Sequence, residues 1–335
     1  MPDRLRPWFF LVFLAAVPLP CAAATEEPAV LEQVGAIPLD GVEGRLDHMT
    51  VDLEGRRIFV AALGNNTVEV LDASTNERLD TVQGPRRPQG VLFVPEFNAL
   101  YVANAEGGAV DIYDGRTLKG SDTILFPSEA DNLRYDPITR TVYAGYGAGA
   151  LGVIDASTRK RTADIDLGGH PESFQLEATG SRIFVNVPNS RIFVVDRVQR
   201  TVSTQWSTVP LFSLANFPMA LNEGHHRLFS VFRSPSRLVV LDTESGRMIA
   251  KLPVVQDADD AFYDAKRSRI YVSGGQGAIT VIGQTDADHY KVLATLRTAP
   301  GARTSLFVPE WGRLYLAVPH RGSQRAEIRV YEARP

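Results

Sequence analysis

PQGVLFVPEFNALYVANAEGGAVDIYD, residues 88–114, contains three β-rich runs separated by turn residues. VLFV (91–94) is apolar, PEFN (95–98) is a turn, LYVAN (100–104) carries an aromatic, and VDIYD (110–114) follows a Gly-Gly turn. Alternating β-branched and aromatic residues bounded by Pro, Gly, Asn and Asp are strand and hairpin signals. The same order recurs along the chain. IFVAA (58–62), LYVAN (100–104), VYAGY (142–146), IFVNV (183–187), LFSVF (228–232), IYVSG (270–274) and LYLAV (314–318) start 42, 42, 41, 45, 42 and 44 residues apart. A second β-rich run follows each, and a third, such as MTVD, VLFV or AFYD, precedes each. No window sustains helical periodicity. Four short antiparallel strands in about 40–45 residues is the period of a propeller blade. The sequence therefore predicts an all-β fold, a seven-bladed β-propeller of four-stranded antiparallel blades, which leaves no long exposed sheet edge. The last unit, 301–335, supplies only three strands, while AVLEQVGAIPL (29–39) precedes the first unit without a blade of its own. This N-terminal strand is expected to pair as the outermost strand of the last blade and close the ring.

The N-terminus reads as a processing segment. Arg4 and Arg6 precede an apolar run, WFFLVFLAAVPL (8–19), and Ala22-Ala23-Ala24 forms a small-residue cleavage site. A run of this length falls short of the roughly 20 residues that span a bilayer. The expectation is a signal peptide at 1–24, cleaved after Ala24, and one propeller domain over 25–335, periplasmic or secreted, soluble and monomeric. Pro20 argues against Cys21 as a lipidated N-terminus. Cleavage also removes Cys21, the only cysteine, leaving no disulfide, thiol nucleophile or cysteine ligand. The net charge of −4 and pI near 5.9 give no basic face for a nucleic-acid backbone, and PRRP (85–88) is too short to reverse that. No Gly-x-Ser-x-Gly, phosphate loop, Cys-x-x-Cys or His-Glu-x-x-His occurs, which excludes several hydrolase, redox and zinc classes.

YVAN (101–104), within a Pro-x-Gly-Val…Leu-Tyr-Val-Ala-Asn unit, resembles the YVTN repeat of bacterial extracytoplasmic β-propellers, and the chain after residue 24 resembles the YncE-like members of that family. The resemblance implies an exported seven-bladed propeller. It does not assign chemistry, because the fold hosts several roles.

In a propeller the innermost strands line the axis. Aligning the units on their aromatic strands puts Asp47, Gln89, Asp131, Glu172, Phe217, Asp259 and Arg303 in one ring at the axial mouth. The next ring reads His48, Gly90, Asn132, Ser173, Pro218, Asp260 and Thr304. RLDHMTVD (45–52) thus contributes one-seventh of a polar mouth. Carboxylates grouped at close range displace one another's pKa values unless a cation shares the space, and convergent perturbed groups mark a candidate site. The expected ligand-binding residues are Asp47, His48, Asp131, Asn132, Glu172, Asp259, Asp260, Arg303, Arg233 and His320. Guanidinium forks suit planar anions, and His320 lies in an insertion-like loop. The loop residues Asn65, Asn66, Asn104, Tyr146 and Asn186 are expected on the same face.

Oxygen-rich ligation suits Ca²⁺, and His48 with carboxylates would suit another divalent metal. The set Asp47, Asn132, Glu172 and Asp260 resembles, in composition, the axial metal ligands of calcium-dependent lactonase propellers. The resemblance implies a hydrolase alternative with His48 as candidate general base. The leading expectation is binding of a small ligand, metal ion or partner protein without turnover. A protein-interaction scaffold with an inert, hydrated channel is the other alternative.

Overall fold

The structure, a computed structural model, describes residues 1, 3, 29–188, 191–208 and 214–335. Apart from Met1 and Asp3, the expected signal peptide, with Cys21 and the cleavage site, lies outside the described residues.

The chain builds seven four-stranded antiparallel sheets in sequence order. Their innermost strands are Met49–Asp52, Pro88–Val94, Ala130–Asp136, Ser173–Leu176, Leu214–Asn222, Ala258–Asp264 and Ser305–Val308. The aromatic-bearing runs form the second strands, Arg57–Ala62 through Arg313–Val318. The described residues contain no α-helix, and no helix among them is long and apolar enough to cross a membrane. The ring closes as the sequence indicated. Leu31–Pro38 pairs antiparallel with Glu327–Ala333, from Leu31 opposite Ala333 to Pro38 opposite Glu327, and completes blade 7.

Alternation explains the packing. Side chains on a strand point to opposite faces with period two, and each blade lies between two others, so both faces of its middle strands are apolar. Seven clusters of buried side chains result, one for each pair of adjacent blades. Phe59, Tyr101, Phe184, Phe229, Tyr271 and Tyr315 are fully buried in them. Each such ring contributes about 1.5–3 kcal/mol through burial. The third strands end in Asp72, Asp114, Asp155, Asp196 and Asp242, and the sequence pattern has a local cause. Each carboxylate accepts two backbone N–H groups of the following turn, as Asp155 does from Ser157 and Thr158. These Asx turns launch the outer strands.

Four innermost strands carry a register shift at their mouth end, between Pro88 and Val91, Ala130 and Leu133, Asn216 and Met219, and Ala258 and Asp260. A bulge bends a strand and re-aims its side chains. Here it places Asp131-Asn132 and Asp259 where the ladder is broken. Gly90 of blade 2 fits the crowding that follows. A Cβ there would lie 2.0 Å from the Asp131 carbonyl oxygen, so the glycine of Pro-x-Gly-Val lets neighbouring blades approach.

Candidate functional site

Residues from six blades meet at the axial mouth, and they divide into two halves. In the first half, guanidinium groups match carboxylates. Asp259 is shared by three arginines: Arg233, Arg303 at 2.9 Å and Arg45 at 3.7 Å. Arg303 also reaches Asp257 at 3.2 Å, and Arg45 reaches Asp47 at 2.8 Å. Arg233 comes from the end of the second strand of blade 5, anchored by donation to the Ala258 carbonyl and stacked over the Phe217 ring.

Asp47 and His48 sit between this network and the axis. Asp47 is 1% exposed, and its carboxylate has the Arg45 guanidinium at 2.8 Å and the His48 ring at 3.8 Å as its ion-pair partners. Burial lifts its pKa to about 6, with His48 and Arg45 opposing the rise and Asp259 adding to it. Burial alone would keep His48 neutral. The carboxylate of Asp260, 3.4 Å from Nδ1, outweighs that with help from Asp47 and Asp131 and raises the imidazole to about 10. His48 is therefore an imidazolium at neutral pH. Asp260 is fixed in turn by accepting from the Ser305 N–H at 2.9 Å.

The second half lies on blades 3 and 4. Asp131, His170 and Glu172 present one ligand-type atom each, all within 4.8 Å of one another. His170 Nε2 is 3.9 Å from Asp131 and 3.8 Å from Glu172, and its Nδ1 is 3.9 Å from Glu129. Among the described residues no lysine or arginine makes an ion pair with Asp131 or Glu172. The electrostatics follow from that lack. Burial is the main cause lifting Asp131 to about 8, with Asp47, Glu172 and Asp259 adding to it against His48. Burial and the Asp259 charge lift Glu172 to about 7, against Arg233. Burial pushes His170 down, with Glu129 pulling the other way, so its ring is neutral and its lone pair available at pH 7.

Of the residues read from the sequence, Asp47, His48, Asp131, Asn132, Glu172, Asp259, Asp260, Arg233 and Arg303 all come to the mouth. They do not form one shell. Asn132 is engaged by the protein: its amide nitrogen donates to the Glu172 carbonyl, lies 3.4 Å from His48 Nε2, and its oxygen accepts from Arg134. Of the set Asp47, Asn132, Glu172 and Asp260, only Glu172 belongs to the cluster of Asp131, His170 and Glu172. His320 lies 2.7 Å from Glu43, on a cleft of about 320 Å³ that it shares with Arg45, Asp257 and Arg303 of the mouth network. The loop amides turn out to be structural. Asn104 and Asn186 are fully buried and hold the Arg86 N–H and the Phe217 carbonyl, and Asn66 accepts from the Arg87 N–H of the next blade. Tyr146 packs on Phe126 with Arg161 over its ring.

Sequence reasoning missed Arg45, Glu129, His170 and Asp257. All four stand two positions before a mouth-ring residue, in the segments that lead into the innermost strands. A second aligned ring at that offset reads Arg45, Arg87, Glu129, His170, Ala215, Asp257 and Gly301 and would have found them.

No family model matches the chain. It is 24% identical over 273 residues to the YncE protein of Salmonella typhi, an alignment covering 77% of this chain and 76% of that one. The YncE protein of Salmonella typhimurium gives 23% over the same length and the same shares. The shared stretch spans most of the ring, and the fold is the seven-bladed propeller described above. The chain is a YncE-like β-propeller. Antigen Lp49 of Leptospira interrogans is 26% identical over 140 residues, 40% of this chain and 31% of that protein. The propeller superposes on a chain of Kuenenia stuttgartiensis hydrazine synthase with TM-score 0.71 at 16% identity, covering 84% of this chain and 96% of the other. It also matches a chain of the mitotic checkpoint complex with TM-score 0.73 at 12% identity over the full length of both. These structural likenesses concern the fold alone.

Proposed function

We propose that this propeller is an exported binding protein that takes a divalent metal ion at its axial mouth, on Asp131, His170 and Glu172. The observation that carries the reading is the convergence of two carboxylates and a neutral imidazole, within 4.8 Å, on the half of the mouth that no guanidinium neutralises. One nitrogen and two oxygen donors suit a first-row transition ion or Zn²⁺. Ca²⁺ ordinarily takes six to eight oxygens, which makes it the poorer fit. The N-terminal run at 8–19 supports export.

Binding would couple to protons. Asp131 and Glu172, raised to about 8 and about 7, must release theirs to a metal, so affinity should climb with pH between about 6 and 8. The hydrolase reading with His48 as general base finds less support, because a group held as imidazolium up to about pH 10 has no lone pair to accept a proton from water.

The test is calorimetric titration of the chelator-stripped protein with Zn²⁺, Mn²⁺, Ni²⁺, Cu²⁺ and Ca²⁺. One transition ion should bind at one equivalent, and His170→Ala or Glu172→Gln should weaken it by a factor of about 100. Absence of saturable binding by every ion, or unchanged affinity in both variants, would sink the proposal.

A further inference from the structure

Among the innermost strands, next to His48 and Asp260 of the mouth, lies a chamber of about 240 Å³ lined also by Leu92, Arg134, Gln175, Phe262 and Leu306. Arg134 is the exception in its ring. By the register of the innermost strands its counterparts are Thr50, Leu92, Gln175, Ala220, Phe262 and Leu306, none of them charged. Its guanidinium donates from one nitrogen to the Leu133 carbonyl at 2.8 Å and to Asn132 at 3.3 Å, and lies over the Phe174 ring. Among the described residues no carboxylate is within ion-pairing distance, and its other two nitrogens have no protein acceptor. Every other guanidinium of the mouth described above has a carboxylate partner.

A cation in a partly enclosed cavity of mixed polar and apolar lining is costly to leave without a contacting counter-charge. Burial lowers the basicity of Arg134, yet an arginine stays charged in proteins. Its free edge is a planar pair of donors, the shape that a carboxylate accepts in bidentate fashion. Leu92, Leu306 and Phe262 would cover a hydrocarbon body, with Thr50, Gln175 and Ser305 as uncharged polar groups of the lining. The volume falls below the 300–1,000 Å³ typical of drug-sized ligands. Asp260 is the only carboxylate lining the chamber, and it is already engaged by His48 and the Ser305 N–H.

We propose that the axial chamber is a binding site for a small organic monocarboxylate, its carboxylate on Arg134 and its apolar body against Leu92, Phe262 and Leu306. This site is separate from the metal site at the mouth and does not require it.

The experiment is calorimetric titration of the full propeller, in EDTA, with butyrate, benzoate, butyramide, benzamide and inorganic phosphate. At least one of the carboxylates should bind at one equivalent, and its amide should bind about tenfold or more weakly, the loss of one charge-assisted contact. Arg134→Gln should remove the binding, and Arg134→Lys, which keeps the charge and loses the fork, should weaken it. Leu92→Trp, which fills the chamber and leaves the guanidinium, should block it, so the idea stays testable should Arg134→Gln fail to fold. Equal binding of acid and amide, tighter binding of phosphate than of either carboxylate, or full affinity in Arg134→Gln or Leu92→Trp would each overturn the proposal.

Discussion

The two halves of the mouth use similar residues to opposite effect. On blades 5, 6, 7 and 1, Asp47, Asp257 and Asp259 are interleaved with Arg45, Arg233 and Arg303 in one continuous ion-pair network. On blades 3 and 4, Asp131, Glu172 and Glu129 surround a single imidazole. The first half pairs its carboxylates with guanidiniums. The second keeps protons on its carboxylates near neutral pH because burial outweighs the nearby cations and no guanidinium pairs with them. The contrast separates a structural clamp from a candidate site, although both are equally acidic in sequence.

Removing Asp259 should break the comparison hardest. Asp259→Ala removes the carboxylate that three guanidiniums share and leaves Arg45 to Asp47 and both Arg233 and Arg303 to Asp257. Losing such a charge-assisted partner at a partly buried site costs about 1.5–3 kcal/mol. Chemical denaturation should show this as a large fall in midpoint, and a loss under about 1 kcal/mol would mean that the network carries little. The other half should respond with the opposite sign. Asp131→Asn removes a charge that the fold disfavours, so the metal-free protein should gain about 2–4 °C in Tm at pH 8. That gain should vanish near pH 5, where the wild-type carboxyl is already protonated.

The sign of the pH dependence follows from the same asymmetry. Asp131 and Glu172 are raised from 3.8 and 4.5 to about 8 and about 7. Between those limits the folded chain holds protons that the unfolded chain has released, so stability from this half falls as pH rises through the window. Melting curves from pH 5 to 8 should show that decline in the metal-free wild type and a flatter profile in Asp131→Asn. A profile unaffected by the substitution would place the proton elsewhere. The smallest effect is expected at the rim. His320→Ala disrupts an exposed pair with Glu43 and should change stability by less than about 1 kcal/mol, with metal affinity untouched. A lost metal site there would move the centre of the site off blades 3 and 4.

The repeat made the fold legible because every blade reuses an apolar-faced second strand bearing a buried ring, and five of the seven end the next strand in an Asx turn. Even closure could be read, since a three-stranded last unit and an orphan first strand are complementary. The mouth was legible one ring at a time. Asp131 and Glu172 emerged from alignment alone, whereas His170 stands two residues before Glu172 in the GGHPES turn, where no strand periodicity points to it. The division into halves was hidden for a different reason. Which arginine reaches which aspartate depends on bulges at Ala130–Leu133 and Ala258–Asp260 and on Arg233 crossing from a neighbouring blade, and neither is written in the spacing. Arg134 carried a readable signal, the lone charge in an otherwise uncharged ring, that only a register-by-register comparison brings out.

The protonation of Asp131 tests the central claim most directly. A ¹³C-carboxyl NMR titration of the metal-free protein, assigned with Asp131→Asn, should give an apparent pKa near 8 for this group, falling sharply once Zn²⁺ is added. Titration near pH 4 with no response to the metal would contradict the account, because the blade 3 and 4 half of the mouth would then already be neutralised by something within the protein itself.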